Sequence, residues 1–200
     1  MLLLSTVVRT PDFYYHLTTI DGIDLPHFAV FCFFRDMEAE YGFSGGGSHL
    51  TKILFVCHGN ICRSPMAACI FADMVRRRGL SDKYEVNSAA TSREEIGNGL
   101  YPPAERKLRE KGIPRIPHRA VQMTAGDYKA YDLLIGMDGA NIRNMTRLAG
   151  GDPEGKIRRL LDFTSRPRDV ADPWYTDDFE TACRDIQEGC AAVLDALEGE

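Results

Sequence analysis

Two rhythms of apolar and polar positions run through the chain from residue 52 onward. Four short β-favouring runs predict strands: "KILFV" (52–56), "YEVNSAA" (84–90), "DLLIGM" (132–137) and "IRRLLDF" (157–163). Between and after them the period lengthens to that of a helix. "SPMAACIFADMVRRRG" (64–79) sets Met66, Ile70 and Met74 at helical spacing, with Ala67, Phe71 and Val75 beside them and Gly79 as a stop. "PPAERKLREKG" (102–112) predicts a mostly polar helix, and "GANIRNMTRLAG" (139–150) the next. In "TDDFETACRDIQEGCAAVLDAL" (176–197), Phe179, Cys183, Ile186, Cys190, Val193 and Leu197 fall on one stripe. Strands alternating with helices predict an α/β fold, a four-stranded parallel sheet flanked by helices on both faces. Ligands in that architecture sit beyond the carboxyl ends of the strands.

The first 49 residues do not share this rhythm. "SGGG" (44–47), followed by Ser48, has the composition of a flexible linker. The stretch before it, residues 12–43, holds nine of the chain's 19 aromatic residues, too many for a solvated tail. It carries no motif and no clear period beyond a possible strand at Phe28 to Phe34. A small packed appendage, a fusion, and upstream sequence read through from a mistaken start all fit it. The expected organisation is therefore an N-terminal extension of unknown role (1–49) ending in a Gly/Ser linker, then one domain (50–200).

Composition narrows the function. A chain of 200 residues with 44% hydrophobic and 26% charged content is ordinary for a soluble globular protein. A formal net charge of -5 argues against a nucleic-acid binder. No apolar run approaches the roughly 20 residues a membrane span needs. "MLLLSTVV" has no basic residue ahead of it, so no secretory leader is expected. The six cysteines, at 32, 57, 62, 69, 183 and 190, lack the spacing of a secreted scaffold and point to a reducing cytoplasm. No pattern in the chain speaks to its oligomeric state.

Chemistry concentrates in "LFVCHGNICRSP" (54–65). Cys57 follows the first strand, and Ser64-Pro65 offers a capping hydroxyl and a helix-initiating proline. Gly59 and Asn60 are residue types that tolerate left-handed backbone angles. Such a loop can aim its N–H groups inward as an anion nest, with the positive end of the helix behind it. A phosphate could rest there, with Arg63 forking onto two of its oxygens. The same field favours a thiolate at Cys57 over a thiol. Nucleophile and oxyanion clamp would then share one loop, an arrangement suited to attack on a phosphate ester through sulfur. The bland reading is a buried thiol ending a core strand and a surface arginine. A zinc site at Cys57, His58 and Cys62 matches no common ligand spacing. Further along, "DPWYTDD" supplies an acid in Asp172, stiffened by Pro173 and flanked by two aromatic faces, Trp174 and Tyr175. Asp-Pro also simply begins many turns; Asp152-Pro153 in "GDPEG" is such a case.

"VCHGNICRSP" resembles the signature of the low-molecular-weight protein tyrosine phosphatases. "NSAATS", "EIGN", "PHRAVQ", "YDLLIGMD" and "DVADPWYTDDFETACRDI" resemble further segments of that family in the same order, over about residues 51–197. The resemblance implies hydrolysis of phosphotyrosine in proteins and of small aryl phosphates, through a phosphocysteine and with no metal or other cofactor. It implies Cys57, Arg63 and Asp172 as nucleophile, clamp and general acid. His58, Gly59, Asn60, Ile61, Cys62 and Ser64 would form the phosphate loop, with Trp174 and Tyr175 at the substrate ring. Asn60 would hold the loop through Ser88 and His118, although His118 could equally be an exposed histidine after Pro117. Ser64 could donate to the Cys57 thiolate. Cys62 is either a reversible oxidation partner for Cys57 or a small filler, while Cys69, Cys183 and Cys190 belong to apolar helix faces. Asp138 is expected to be structural. Two positions depart from the family: Glu94 stands where many relatives place an aromatic, and His58 where an apolar residue or threonine is common. Three alternatives share parts of this pattern: a protein arginine phosphatase, a thiol-dependent arsenate reductase, and a phosphotyrosine-binding module without activity.

Overall fold

The computed structural model describes residues 6–10, 13–17 and 50–199. The chain divides into two compact units, Met1–Ser44 and Gly45–Glu200. In the first, strands β1 (Thr6–Thr10) and β2 (Phe13–Leu17) pair antiparallel, Thr6 opposite Leu17. The possible strand at Phe28 to Phe34 lies outside the described residues.

The second unit is built on a four-stranded parallel sheet of order β4-β3-β5-β6. Central β3 (Thr51–Cys57) runs beside β4 (Tyr84–Ala90) from Thr51 opposite Tyr84 to Cys57 opposite Ala90. On its other side lies β5 (Leu133–Gly136), with Ile53 opposite Leu133. The edge strand β6 (Ile157–Arg159) pairs with β5 alone. Alternate residues of a strand face opposite sides of the sheet, and β3 is apolar on both. Ile53, Phe55 and Cys57 face a core shared with helices α1 (Arg63–Arg77), α2 (Pro102–Glu110) and α6 (Phe179–Glu198). Leu54 and Val56 face a smaller core closed by α3 (Ala125–Ala130) and α4 (Gly139–Ala149). The predicted stripe of α6 is the buried one: Phe179, Cys183, Ile186, Cys190 and Val193 lie in the core, with Leu197 packed at its edge. A four-residue helix, α5 (Pro173–Thr176), precedes it. Among the described residues no helix is long and apolar enough to cross a membrane.

Two expectations need correction. The run 157–163 is a strand only to Arg159; Leu160–Phe163 winds into a 3-10 turn. β5 offers partners only as far as Gly136, and the turn lets the consecutive Leu160 and Leu161 both enter the core. The second correction concerns the start of α1. Cys62 occupies its N-cap without a side-chain bond, and Ser64 lies inside the first turn with its hydroxyl directed elsewhere.

Candidate active site

At the carboxyl end of β3 the chain leaves the sheet at Cys57, crosses residues 58–62 and enters α1. Asn60 adopts left-handed backbone angles, φ 57°, and is fully buried. Asparagine tolerates that region better than most side chains. The twist turns the Asn60 N–H toward Cys57 Sγ, at 3.3 Å. From the first turn of α1 the Ser64 hydroxyl lies 3.1 Å from the same sulfur. Asn60 Nδ2 donates to Ser64 Oγ at 2.9 Å. The serine proton is thereby left for the sulfur or for the Ala89 carbonyl at 3.3 Å. Gly59, in contrast, stays out of the left-handed region. Its lack of a side chain matters for space, since a Cβ there would lie 3.2 Å from Glu95 Cγ.

The loop is tied to its neighbours through Asn60. Nδ2 also donates to Ser88 Oγ at 2.9 Å, and Oδ1 accepts from the Val121 N–H at 3.2 Å. The Asn60 carbonyl accepts from His118 Nε2 at 2.6 Å. Because a carbonyl only accepts, His118 carries its proton on Nε2. Burial lowers the His118 pKa from its ordinary 6.5, against the pull of that bond, with nearby Arg119 adding to the fall. Ile61 and Cys62 turn inward to the core, and the Ile61 carbonyl accepts from the Tyr101 N–H at 2.8 Å. Burial first, then the charges of Cys57 and Asp172, push the Cys62 thiol up to about 12. It stays protonated at neutral pH. His58 is the one exposed residue of the loop, and its Nε2 meets Glu94 Oε2 at 3.0 Å. The two positions expected to depart from the family pattern are therefore in contact with each other.

Arg63 begins α1, is 3% exposed, and collects the remaining groups. One guanidinium nitrogen donates to Asp138 Oδ2 at 2.7 Å and to the Val170 carbonyl at 3.4 Å. The other donates to Asp172 Oδ2. Burial alone would lower the Arg63 pKa, but the charges of Cys57, Asp172 and Asp138 together raise it. Asp138 follows β5 and caps α4, its Oδ1 accepting from the Asn141 N–H at 2.7 Å. Expected to be structural, it is so in a specific sense: the cap fixes the carboxylate that holds Arg63. Asp172 likewise caps α5, accepting from the Trp174 N–H at 3.1 Å, with Pro173 as the first helical residue. The second carboxylate oxygen of Asp172 is thus presented to Arg63. Trp174 and Tyr175 are exposed beside it, and the Trp174 ring packs 5.3 Å from that of Tyr101.

Cys57, Arg63, Asp172, Asn60, Ser64, Ser88 and His118 converge on one locus, drawn from the ends of β3 and β4, the loop after β3, the starts of α1 and α5, and the coil at His118. Tyr101, the support beneath Trp174, was missed. Its only signal was an aromatic ahead of Pro102-Pro103. No group of three or more His, Cys, Asp or Glu side chains that could hold a metal ion occurs among the described residues.

The chain has relatives. The model of the low molecular weight phosphotyrosine protein phosphatase family matches residues 52–200. The low molecular weight protein-tyrosine-phosphatase YfkJ of Bacillus subtilis is 39% identical over 153 residues, 76% of this chain and 98% of that protein. Its crystal structure superposes with a TM-score of 0.73 over 78% of this chain and 98% of that one, at 37% identity. The human low molecular weight phosphotyrosine protein phosphatase is 36% identical over 149 residues, 72% of this chain and 94% of that protein. The structure of DARP, a Drosophila arginine phosphatase, is also similar, with a TM-score of 0.68 and 28% identity over 74% of this chain and 98% of that one. The chain belongs to the low molecular weight phosphotyrosine protein phosphatase family.

Proposed function

We propose that this chain hydrolyses phosphotyrosine in proteins, and small aryl phosphates, through a phosphocysteine. The observation that carries the reading is the double approach to Cys57 Sγ, by the Asn60 N–H at 3.3 Å and the Ser64 hydroxyl at 3.1 Å, next to a buried Arg63 that also holds Asp172. In the first step the Cys57 thiolate attacks phosphorus, and an S–P bond forms as the P–O bond to the phenol breaks. Protonated Asp172 gives its proton to the departing oxygen, which would otherwise leave as an unstable phenolate. In the second step the Asp172 carboxylate takes a proton from water as that water's oxygen attacks phosphorus. The S–P bond breaks, releasing inorganic phosphate and the thiolate. The loop amides and the Arg63 guanidinium bear the charge that gathers on the phosphoryl oxygens.

The wall of Tyr101 and Trp174 favours an aryl ester over phosphoarginine, since it offers a face for a flat ring. A thiol relay of the arsenate-reductase kind finds no support in Cys183 and Cys190, both wholly buried in α6. A cytoplasmic setting fits the five described cysteines, all free thiols. Hydrolysis of para-nitrophenyl phosphate in the presence of a chelator is the first test. Cys57→Ser should abolish it, and Asp172→Ala should lower turnover of phosphotyrosine peptides by roughly 10²–10⁴-fold. Faster release of phosphate from phosphoarginine than from phosphotyrosine peptides would overturn the substrate class. Phosphotyrosine binding with no turnover would leave a binding module.

A further inference from the structure

Asp172 lies at the end of a coil, residues 164–172, that contains no regular structure and yet must hold a carboxylate in place. Three consecutive residues just ahead of it are each bonded to a different part of the fold. The Arg168 guanidinium donates to Asp185 Oδ1 and Glu188 Oε2 of α6, both at 2.8 Å, and to the Arg166 carbonyl at 3.2 Å. Asp185 is only 4% exposed, so the partner that receives the half-exposed Arg168 is itself fixed in the protein. The Asp169 carboxylate accepts from Arg159 at the end of β6 at 2.7 Å, and from the N–H of Gly139 at 3.2 Å. Gly139 is the first residue of α4, directly after Asp138. The same helix start therefore holds Arg63 through Asp138 and the acid-bearing coil through Asp169. Val170, buried in the core, donates its N–H to the Met137 carbonyl at 2.8 Å and offers its own carbonyl to Arg63. From Val170 to Asp172 the chain can stretch at most about 7 Å. Anchors at 168–170 accordingly decide where the acid stands relative to the sulfur and the guanidinium.

We propose that Arg168 and Asp169 are positioning residues for the general acid. Their ion pairs lock the coil to α6 and to the Arg63 anchor so that the Asp172 carboxyl meets the leaving oxygen. Neither touches the substrate. The inference rests on the assignment of Asp172 as acid, and its signature is specific. A displaced acid harms esters whose leaving phenol needs a proton and spares those whose phenol leaves readily as an anion.

The test compares kcat/KM for phenyl phosphate and para-nitrophenyl phosphate in the full chain. Asp169→Ala alters an exposed side chain and should fold. Arg168→Lys keeps a positive charge beside buried Asp185 while giving up the fork. Each should lower kcat/KM for phenyl phosphate about tenfold more than for para-nitrophenyl phosphate, as expected when a catalytic group is shifted but present. In an Asp172→Ala background the same changes should leave the ratio of the two substrates untouched. Equal losses on both substrates, no loss on either, or an undiminished effect without Asp172 would overturn the positioning role. Should Asp172→Ala itself leave the ratio unmoved, the acid assignment fails, and that outcome is read in the parent variant alone. Thermal unfolding run in parallel identifies a purely structural brace, which would lower the midpoint and leave the ratio at its wild-type value.

Discussion

Each hydrogen-bonding group of Asn60 is committed to a neighbour: two hydroxyls, two N–H groups or ring nitrogens, and the sulfur of Cys57. Replacing the side chain by a methyl removes the donor to the buried Ser64 hydroxyl and to Ser88 and the acceptor of the Val121 N–H, and places alanine at φ 57°. Asn60→Ala should therefore cost about 2–4 kcal/mol, from lost partners of buried groups and from left-handed strain. Asn60→Gly removes the same bonds without the strain, so it should recover about 1 kcal/mol of that loss. Chemical denaturation of both variants measures the difference. If alanine is tolerated as well as glycine, the backbone twist is not what asparagine supplies here. The residues proposed as nucleophile, clamp and acid could be singled out at this scale because their spacing and flanking turn residues lie within short stretches of chain. The Arg63–Asp138 bond, between residues 75 positions apart, was not. A cap and an arginine partner look alike in a string of letters until the fold brings them together.

Helices and strands were legible where a run was long enough to show its period. β4 spans the predicted residues 84–90, while the short α3 and α5 have fewer than two full turns each and left no periodic trace. The 3-10 turn at Leu160–Phe163 was hidden for another reason: its apolar letters suit a strand, and only the lack of a pairing edge forbids one. That turn also explains a glycine in the middle of α6. A Cβ at Gly189 would sit 2.4 Å from Leu160 Cγ, and Leu160 is fully buried. Gly189→Ala gains up to about 1 kcal/mol of helix propensity. Overpacking a core typically costs about 1–3 kcal/mol, and more where the clash is with a branch point rather than a chain end. The clash should win, with a net loss of about 1–2 kcal/mol. Because the turn leads into the coil bearing Asp172, activity on phenyl phosphate should fall along with the unfolding midpoint. A stabilised Gly189→Ala protein would mean that α6 and the turn can move apart freely.

At the scale of the whole molecule, strand order decides where an anion can sit. With β3 central and both neighbours parallel to it, the carboxyl ends of β3, β4 and β5 open on the same side of the sheet. Cys57, the loop from Ala90 to Glu95, and Asp138 all emerge there, and α1 starts at that edge with its N–H groups unpaired by the helix. Several groups around the locus are acidic, so an anion would be held chiefly by loop amides and Arg63. Inorganic phosphate, the expected product, should then bind the folded state and raise its stability by about 2.7 kcal/mol at a hundred times its Kd. For a domain of this size that corresponds to a rise of roughly 5–10 °C in the unfolding midpoint, readable by scanning calorimetry. Asp172→Ala should keep the rise, since it removes a negative charge and no phosphate ligand. Arg63→Ala should lose most of it. We further expect a chain beginning at Leu50 to show the same rise as the full chain, because every residue of the locus lies between Cys57 and Asp172. An Arg63→Ala protein that phosphate stabilises as strongly as the wild type would place the anion elsewhere, and the loop after β3 could no longer be taken as the seat of the reaction.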